Sequence, residues 1–177
     1  MTCIAGIEHN GRVYLCGDSA ASSGWDIQVV AMPKVFRVNQ FVIGCTTSFR
    51  MMQLLQYKLF VKQQEQESDY AYMVSVVAET IRALLKGHGY SQVENNREEG
   101  GYFLIGYHGY LYQISCDFSV LRYTDGFAAV GCGKNFALGA LAILNKSNPE
   151  KALMQALEVA AHFSNGVCEP FHCVALS

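Results

Sequence analysis

Asn10-Gly11 stands between two short apolar runs, Cys3 to Ile7 and Val13 to Cys16. This dipeptide supplies the two positive-φ residues that a two-residue β-hairpin turn demands. Chain ends are ordinarily exposed and frayed, yet here the opening run is apolar at once and is tied to the strand that follows. A two-residue turn pairs His9 with Arg12. Counting back along the ladder brings Cys3 opposite Asp18 and Thr2 opposite Ser19. Gly17-Asp18-Ser19 therefore returns an acid to within one position of Thr2, on a face that a one-residue slip would reverse.

The rest of the chain reads as alternating blocks. A second hairpin is expected from 34–38 and 41–45 across Asn39-Gln40. From Phe49 to about Gln64 the apolar residues Met51, Leu54, Leu55 and Leu59 recur at helical spacing. Ser68 or Asp69 is the expected cap of a second helix that reaches about Lys86 and stops at Gly87-His88-Gly89. Residues 91–101 read as a surface loop, and strands resume at 102–106, 110–115, 120–123 and 127–131. A third helix is expected over about 134–145, and Asn148-Pro149-Glu150 starts a fourth that runs to about Phe163. A strand over 171–176 closes the chain. Strands apolar on both faces, with helix pairs between them, predict an α+β fold of two stacked sheets with helices on each outer face. Residues 1–177 are expected to form one such domain.

Composition excludes several classes of function. The hydrophobic fraction is 51%, the charged fraction 16% and the net charge −2, so there is no basic footprint for nucleic acid. No apolar run approaches the ~18 residues of a membrane span, and the N-terminus lacks the pattern of a signal peptide. Seven scattered cysteines without a Cys-x-x-Cys read as reduced, buried thiols in a cytoplasmic setting. Cys168-Glu169-Pro170-Phe171-His172-Cys173 reads as the start of a strand rather than a metal site. Gly131-Cys132-Gly133 lacks the lysine and hydroxyl of a P-loop, and a tight turn into a helix accounts for its glycines. No cofactor is expected.

Four places can carry chemistry. Thr2 is small enough at its position for Met1 to be removed, which would leave a free α-amine of reference pKa ~7.7–8.0 beside a hydroxyl nucleophile. Taken alone, Thr2 is also an ordinary second residue. Asp18 is either a partner for a buried cation or a cap of its own turn. Lys34 is either that cation, which would help keep the amine basic, or a guard on a strand edge. Thr46-Thr47-Ser48 leads into a helix, where backbone amides can serve a developing oxyanion or simply be capped.

Thr2, Gly17-Asp18-Ser19, Lys34 and Gly131-Cys132-Gly133, in this order and spacing, resemble the proteasome β-subunit family of the N-terminal-nucleophile hydrolases. The bacterial HslV peptidase, the Anbu proteins and phage-encoded relatives belong with it. The resemblance covers nearly the whole chain. It implies an αββα four-layer sandwich and peptide-bond hydrolysis by Thr2. Asp18 would hold Lys34, Cys132 would stand near the amine, and Thr46, Thr47 and Ser48 would form the oxyanion hole. It also implies a peptide or unfolded-protein substrate, a homo-oligomeric ring, and an ATPase unfoldase as a partner. Met32, Val35 and Cys45 would give an apolar specificity pocket. The sequence departs from the family with Cys132 in place of a serine, Ala20 in place of a basic or amide residue, and no glycine in the oxyanion loop. No acid is evident near Ala161 to Ser164. Only Met1 precedes Thr2, so activation is expected through its removal alone. Two other readings remain open: a non-catalytic structural subunit of the same fold, and an amidohydrolase for a small amide.

Overall fold

A computed structural model describes residues 1–23, 26–90, 92–94 and 97–176; for 92–94, 97 and 98 it describes the backbone. Asn10 and Gly11 both take positive φ, and the hairpin they close joins β1 (Cys3–His9) to β2 (Arg12–Gly17). Its register is the expected one, from His9↔Arg12 to Ile4↔Gly17. β12 (Phe127–Gly131) and β13 (His172–Leu176) flank this hairpin in a four-stranded sheet of order β12-β1-β2-β13. A second sheet has the order β11-β10-β9-β6-β5. Its strands are Val120–Leu121, Tyr110–Ile114, Phe103–Tyr107, Phe41–Cys45 and Val35–Val38.

The period of two in the strands builds the four layers. In β1, Ile4 faces the second sheet, while Cys3, Ala5 and Ile7 face α4 (Lys134–Ile143) and α5 (Pro149–Phe163). In β6, Val42 faces the first sheet, while Phe41, Ile43 and Cys45 face the other helices. These are α1 (Phe49–Lys58), α2 (Asp69–Tyr72) and α3 (Ala78–Gly87), the last two continuous through a π-helical turn over Met73–Val77. The result is the αββα sandwich, with one core between the sheets and one under each helical layer. The sheets approach closely where glycine removes the side chain: a Cβ on Gly44 would lie 2.5 Å from Ile4 Cγ2.

Several boundaries differ from expectation. Helix α1 ends at Lys58, not near Gln64. Beyond it the chain is extended, with Leu59 and Val61 each 7% exposed and Phe60 81% exposed, an alternation no helix produces. Side chains from distant elements hold this stretch: Tyr72 donates to Lys62 O at 2.6 Å and Tyr107 to Gln64 Oε1 at 2.6 Å. The hairpin of β3 (Ala20–Ser23) with β4 (Asp26–Val29), exposed along β4, gave no apolar alternation to read. Within the loop expected at 91–101, β7 (Gln92–Glu94) pairs with β8 (Arg97–Glu99), and the residues between them lie outside the described set.

The expectation of reduced thiols fails for one pair. Cys16 and Cys173 stand directly opposite each other on β2 and β13 and are joined as a disulfide. They are 157 residues apart in sequence, so only the strand pairing reveals the link.

The contact between the sheets yields a test. Gly44→Ala is expected to destabilise the fold by about 1–3 kcal/mol through overpacking against Ile4. Ile4→Ala, which leaves a cavity, should cost about 2–5 kcal/mol. The double variant should be more stable than the sum of the two, as read from urea unfolding midpoints.

Candidate active site

Lys34 follows Pro33 and immediately precedes β5, and its carbonyl accepts from Cys45 N at 3.0 Å, which ties it to the end of β6. Its side chain is 2% exposed, beside an Asp18 that is fully buried. The ammonium donates to three acceptors at short range: Ala20 O at 2.7 Å, Asp18 Oδ1 at 2.9 Å and Thr2 Oγ1 at 2.9 Å. Its three protons are thereby satisfied. The Met1 carbonyl lies further away, at 3.5 Å. Asp18 is satisfied as fully: Oδ1 also accepts from Cys3 N at 2.9 Å, and Oδ2 accepts from Ala20 N at 2.8 Å.

Thr2 thus sits at the end of the ion pair, 7% exposed. Its hydroxyl accepts from Lys34 and donates to the Met1 carbonyl at 2.5 Å. With Met1 attached, the Thr2 nitrogen is a peptide nitrogen and has no basic lone pair. Behind Thr2, Gly131 takes φ +100°, and any side chain there would run into the Thr2 carbonyl. This glycine is therefore required by the β1–β12 approach, where Cys3 pairs with Gly131.

Thr46, Thr47 and Ser48 line the same cleft, a cavity of about 390 Å³ that also reaches Ala21, Ser22, Arg50 and Met52. Thr46 is fixed to Tyr102 O by its amide at 3.1 Å and its hydroxyl at 2.8 Å. Ser48 caps α1, its hydroxyl accepting from Arg50 N at 3.1 Å. Between them Thr47 takes φ +71°, a conformation that disfavours a β-branched residue and turns the chain from β6 into the cap. The Thr47 amide has no acceptor among the described residues. A glycine would be at ease at this φ, and the threonine that stands there is the departure noted in the sequence.

Cys132 is exposed, and its thiol donates to Thr2 O at 3.4 Å and lies 3.5 Å from Ser164 Oγ. Ser164, the C-cap of α5, gave no signal in the sequence beyond its helix end. Gly166 completes this corner, where a Cβ would lie 2.8 Å from Cys132 Sγ and would also collide with Met1. The expected apolar pocket is corrected in part. Cys45 does line the cleft, but Val35 points into the core between the sheets and Met32 packs under the α1–α3 layer. Burial pushes the Cys3 thiol up to about 12, with the Asp18 charge adding to the effect, and burial raises Cys45 as well.

The family model described as proteasome subunit matches residues 1–164. The fold is that of BPH from Thiobacillus denitrificans, solved in complex with epoxomicin. That match has a TM-score of 0.83, 22% identity, and coverage of 99% of this chain and 100% of that one. Eukaryotic HslV from Trypanosoma brucei matches with a TM-score of 0.69 at 18% identity over 98% of each chain. An Anbu mutant from Hyphomicrobium sp. strain MC1 matches with a TM-score of 0.71 at 14% identity, over 98% of this chain and 80% of that one. No curated protein sequence matches significantly.

Two outcomes follow from this geometry. Lys34→Met would leave Asp18 charged and without its cation in the interior and is expected to cost about 3–5 kcal/mol in chemical denaturation, whereas Lys34→Met with Asp18→Asn, which removes the charge and keeps an acceptor for the Cys3 amide, should recover part of that loss. In the native protein at pH 8.5, iodoacetamide should label Cys132 and leave Cys3 and Cys45 unmodified by peptide mass spectrometry. A thiol raised to about 12 stays neutral and unreactive until the pH nears that value, or until the chain unfolds.

Proposed function

Since this chain belongs to the proteasome subunit family, we propose that it is a threonine-type endopeptidase whose nucleophile is Thr2 once Met1 has been removed. The observation that carries the reading is the charged hydrogen bond from Lys34 to Thr2 Oγ1 at 2.9 Å, in a cleft that also presents the Thr47 amide. Lys34 is ion-paired to Asp18 at 2.9 Å, and its positive charge beside Thr2 Oγ1 would stabilise an alkoxide there. Among the described residues, no histidine and no carboxylate lines the cleft. The base is then the Thr2 α-amine. Its ordinary pKa of ~7.7–8.0 already suits the task, and a nearby cation disfavours its protonation further.

Thr2 Oγ1 attacks the scissile carbonyl carbon and its proton passes to the α-amine. The oxyanion takes the hydrogen bond of the Thr47 amide. The amine returns the proton to the leaving nitrogen as the C–N bond breaks, which leaves an ester on Thr2. Water, deprotonated by the same amine, then hydrolyses that ester, releases a carboxylic acid and restores the hydroxyl. The family context supports a ring of identical subunits, residues 1–177 acting as one subunit, peptide or unfolded-protein substrates, and delivery by an ATPase unfoldase. A second reading, a non-catalytic subunit of such a ring, is favoured by the same geometry if Met1 stays in place over Cys132 and Gly166.

Intact mass and inhibitor labelling separate the two. The assembled protein should show the mass of a chain starting at Thr2, and it should gain the mass of one epoxomicin per subunit. Thr2→Ala should abolish both labelling and peptide cleavage while leaving the assembly intact. A mature assembly that keeps Met1 and stays unlabelled would establish the structural reading.

A further inference from the structure

β12 lies at the end of the first sheet, with β1 on one side and no strand among the described residues on the other. Its pairing decides which backbone groups are left over. Glu8 N donates to Gly126 O at 2.7 Å, so Glu8 and Gly126 form a hydrogen-bonded pair. In an antiparallel ladder such pairs alternate, which makes Gly6 with Ala128 and Ile4 with Val130 the next ones. Cys3 O accordingly turns the other way and accepts from Asp18 N on the β2 side. The N–H and C=O groups of Phe127 and Ala129 therefore face away from β1, and they have no partner among the described residues.

This edge is recessed. Two adjoining cavities of about 290 and 230 Å³ run along it and share Gln113, Ala129 and Lys134. Ala129 itself is 5% exposed. A projecting strand can enter such a groove, whereas the equally recessed β12 of a second copy cannot reach it. Phe127 and Leu138 give the groove an apolar wall. Asp125 precedes β12 and Lys134 follows it, so the groove ends in opposite charges. Neither residue is ion-paired among the described residues.

The chain also carries a strand of the matching kind. β4 has β3 on one side only, and all four of its residues are exposed. Val30 N donates to Ser19 O at 2.9 Å, and alternation from that pair sends the backbone groups of Ile27 and Val29 outward. They stand two residues apart, as Phe127 and Ala129 do. Their apolar side chains are 46% and 61% exposed. An unprotected apolar strand edge is a template for pairing with another chain.

We propose that β4 of one copy adds to the free edge of β12 in the next copy, as an antiparallel fifth strand of its first sheet. Charge sets the direction: antiparallel pairing carries Asp26 toward Lys134, whereas parallel pairing would bring it toward Asp125. Tongue and groove are different surfaces, so the contact is head-to-tail and repeats from copy to copy until a ring closes. The proposal rests on the ring of identical subunits proposed above and says what joins them. It also ties assembly to the cleft, because β3, the partner of β4, supplies Ala20, Ala21 and Ser22 to the wall beside Thr2.

Sedimentation velocity and native mass spectrometry of the full chain test the contact. Ile27→Pro removes an outward N–H of β4 without taking a bond from β3, and Lys134→Glu reverses the charge at one end of the groove. Each variant should keep the wild-type circular dichroism and sediment as a monomer at concentrations that assemble the wild type. Mixed, the two should form one-to-one dimers and nothing larger, because each retains one working half of the contact. Adding Asp26→Lys to the Lys134→Glu chain should restore the ring. A ring that survives Ile27→Pro, a mixture without dimers, or a double reversal that restores nothing would overturn the proposal and leave a ring joined elsewhere. A wild-type chain that stays monomeric would reject the ring and this contact together. A ring joined through β4 that epoxomicin does not label would uphold the contact and reject the peptidase reading.

Discussion

A single buried ammonium organises the N-terminal end of this molecule. Lys34 could not sit 2% exposed in an apolar sandwich without a full set of acceptors. Those acceptors come from three separate places: the start of β3, the turn after β2, and the residue before β1. Asp18 in turn needs the amides of Cys3 and Ala20. Each bond constrains an element at its end, so the chain terminus, the first hairpin and β5 are locked to one another. Thr2 gains its position from this lock. Its hydroxyl is one of the three acceptors that make the burial of Lys34 tolerable, whether or not it also performs chemistry.

The sandwich makes such a lock possible. Two sheets packed face to face leave little room between them, and the inner faces of β1, β2, β6 and β9 carry Gly6, Gly17, Gly44 and Gly106 among the larger side chains. At the end of the interface the apolar packing gives way to the ion pair. The loop before β13 is fastened to the same region, since Ser19 donates to Pro170 O at 2.6 Å through its hydroxyl and to Cys168 O at 3.0 Å through its amide. Cys16, bonded to Cys173, adds a covalent link between β2 and β13.

The sequence was most legible where local signals and long-range register agreed. Asn10-Gly11 placed Asp18 beside Cys3, because the register set by a two-residue turn is the one the strands adopt, with no slip. The helix pairs were legible through their stripes and through caps such as Asn148, whose side chain accepts from Lys151 N. What escaped was set by contacts far apart in sequence. Leu59 and Val61 continue a helical-looking run, yet Tyr72 and Tyr107 hold that stretch extended. The resemblance put Val35 in an apolar pocket, but its side chain packs in the core between the sheets. Arg50, on the first turn of α1, lines the cleft through the placement of that helix, which no local signal in the sequence gives.

The corner occupied by Met1 links the two readings of the site physically. There Gly166 leaves space that a side chain would fill, and Cys132 and Ser164 present a thiol and a hydroxyl. While Met1 is present, its carbonyl takes the hydroxyl proton of Thr2, and the Thr2 nitrogen is an amide. Remove Met1, and three things change together: the hydroxyl loses that acceptor, the nitrogen becomes a base, and the corner opens beside it. The thiol of Cys132 is a weaker hydrogen-bond partner than a hydroxyl, so Ser164 becomes the stronger group available to orient the new amine or a water beside it. The same few atoms that stabilise the covered terminus thus become, once it is uncovered, the atoms that a self-based nucleophile requires.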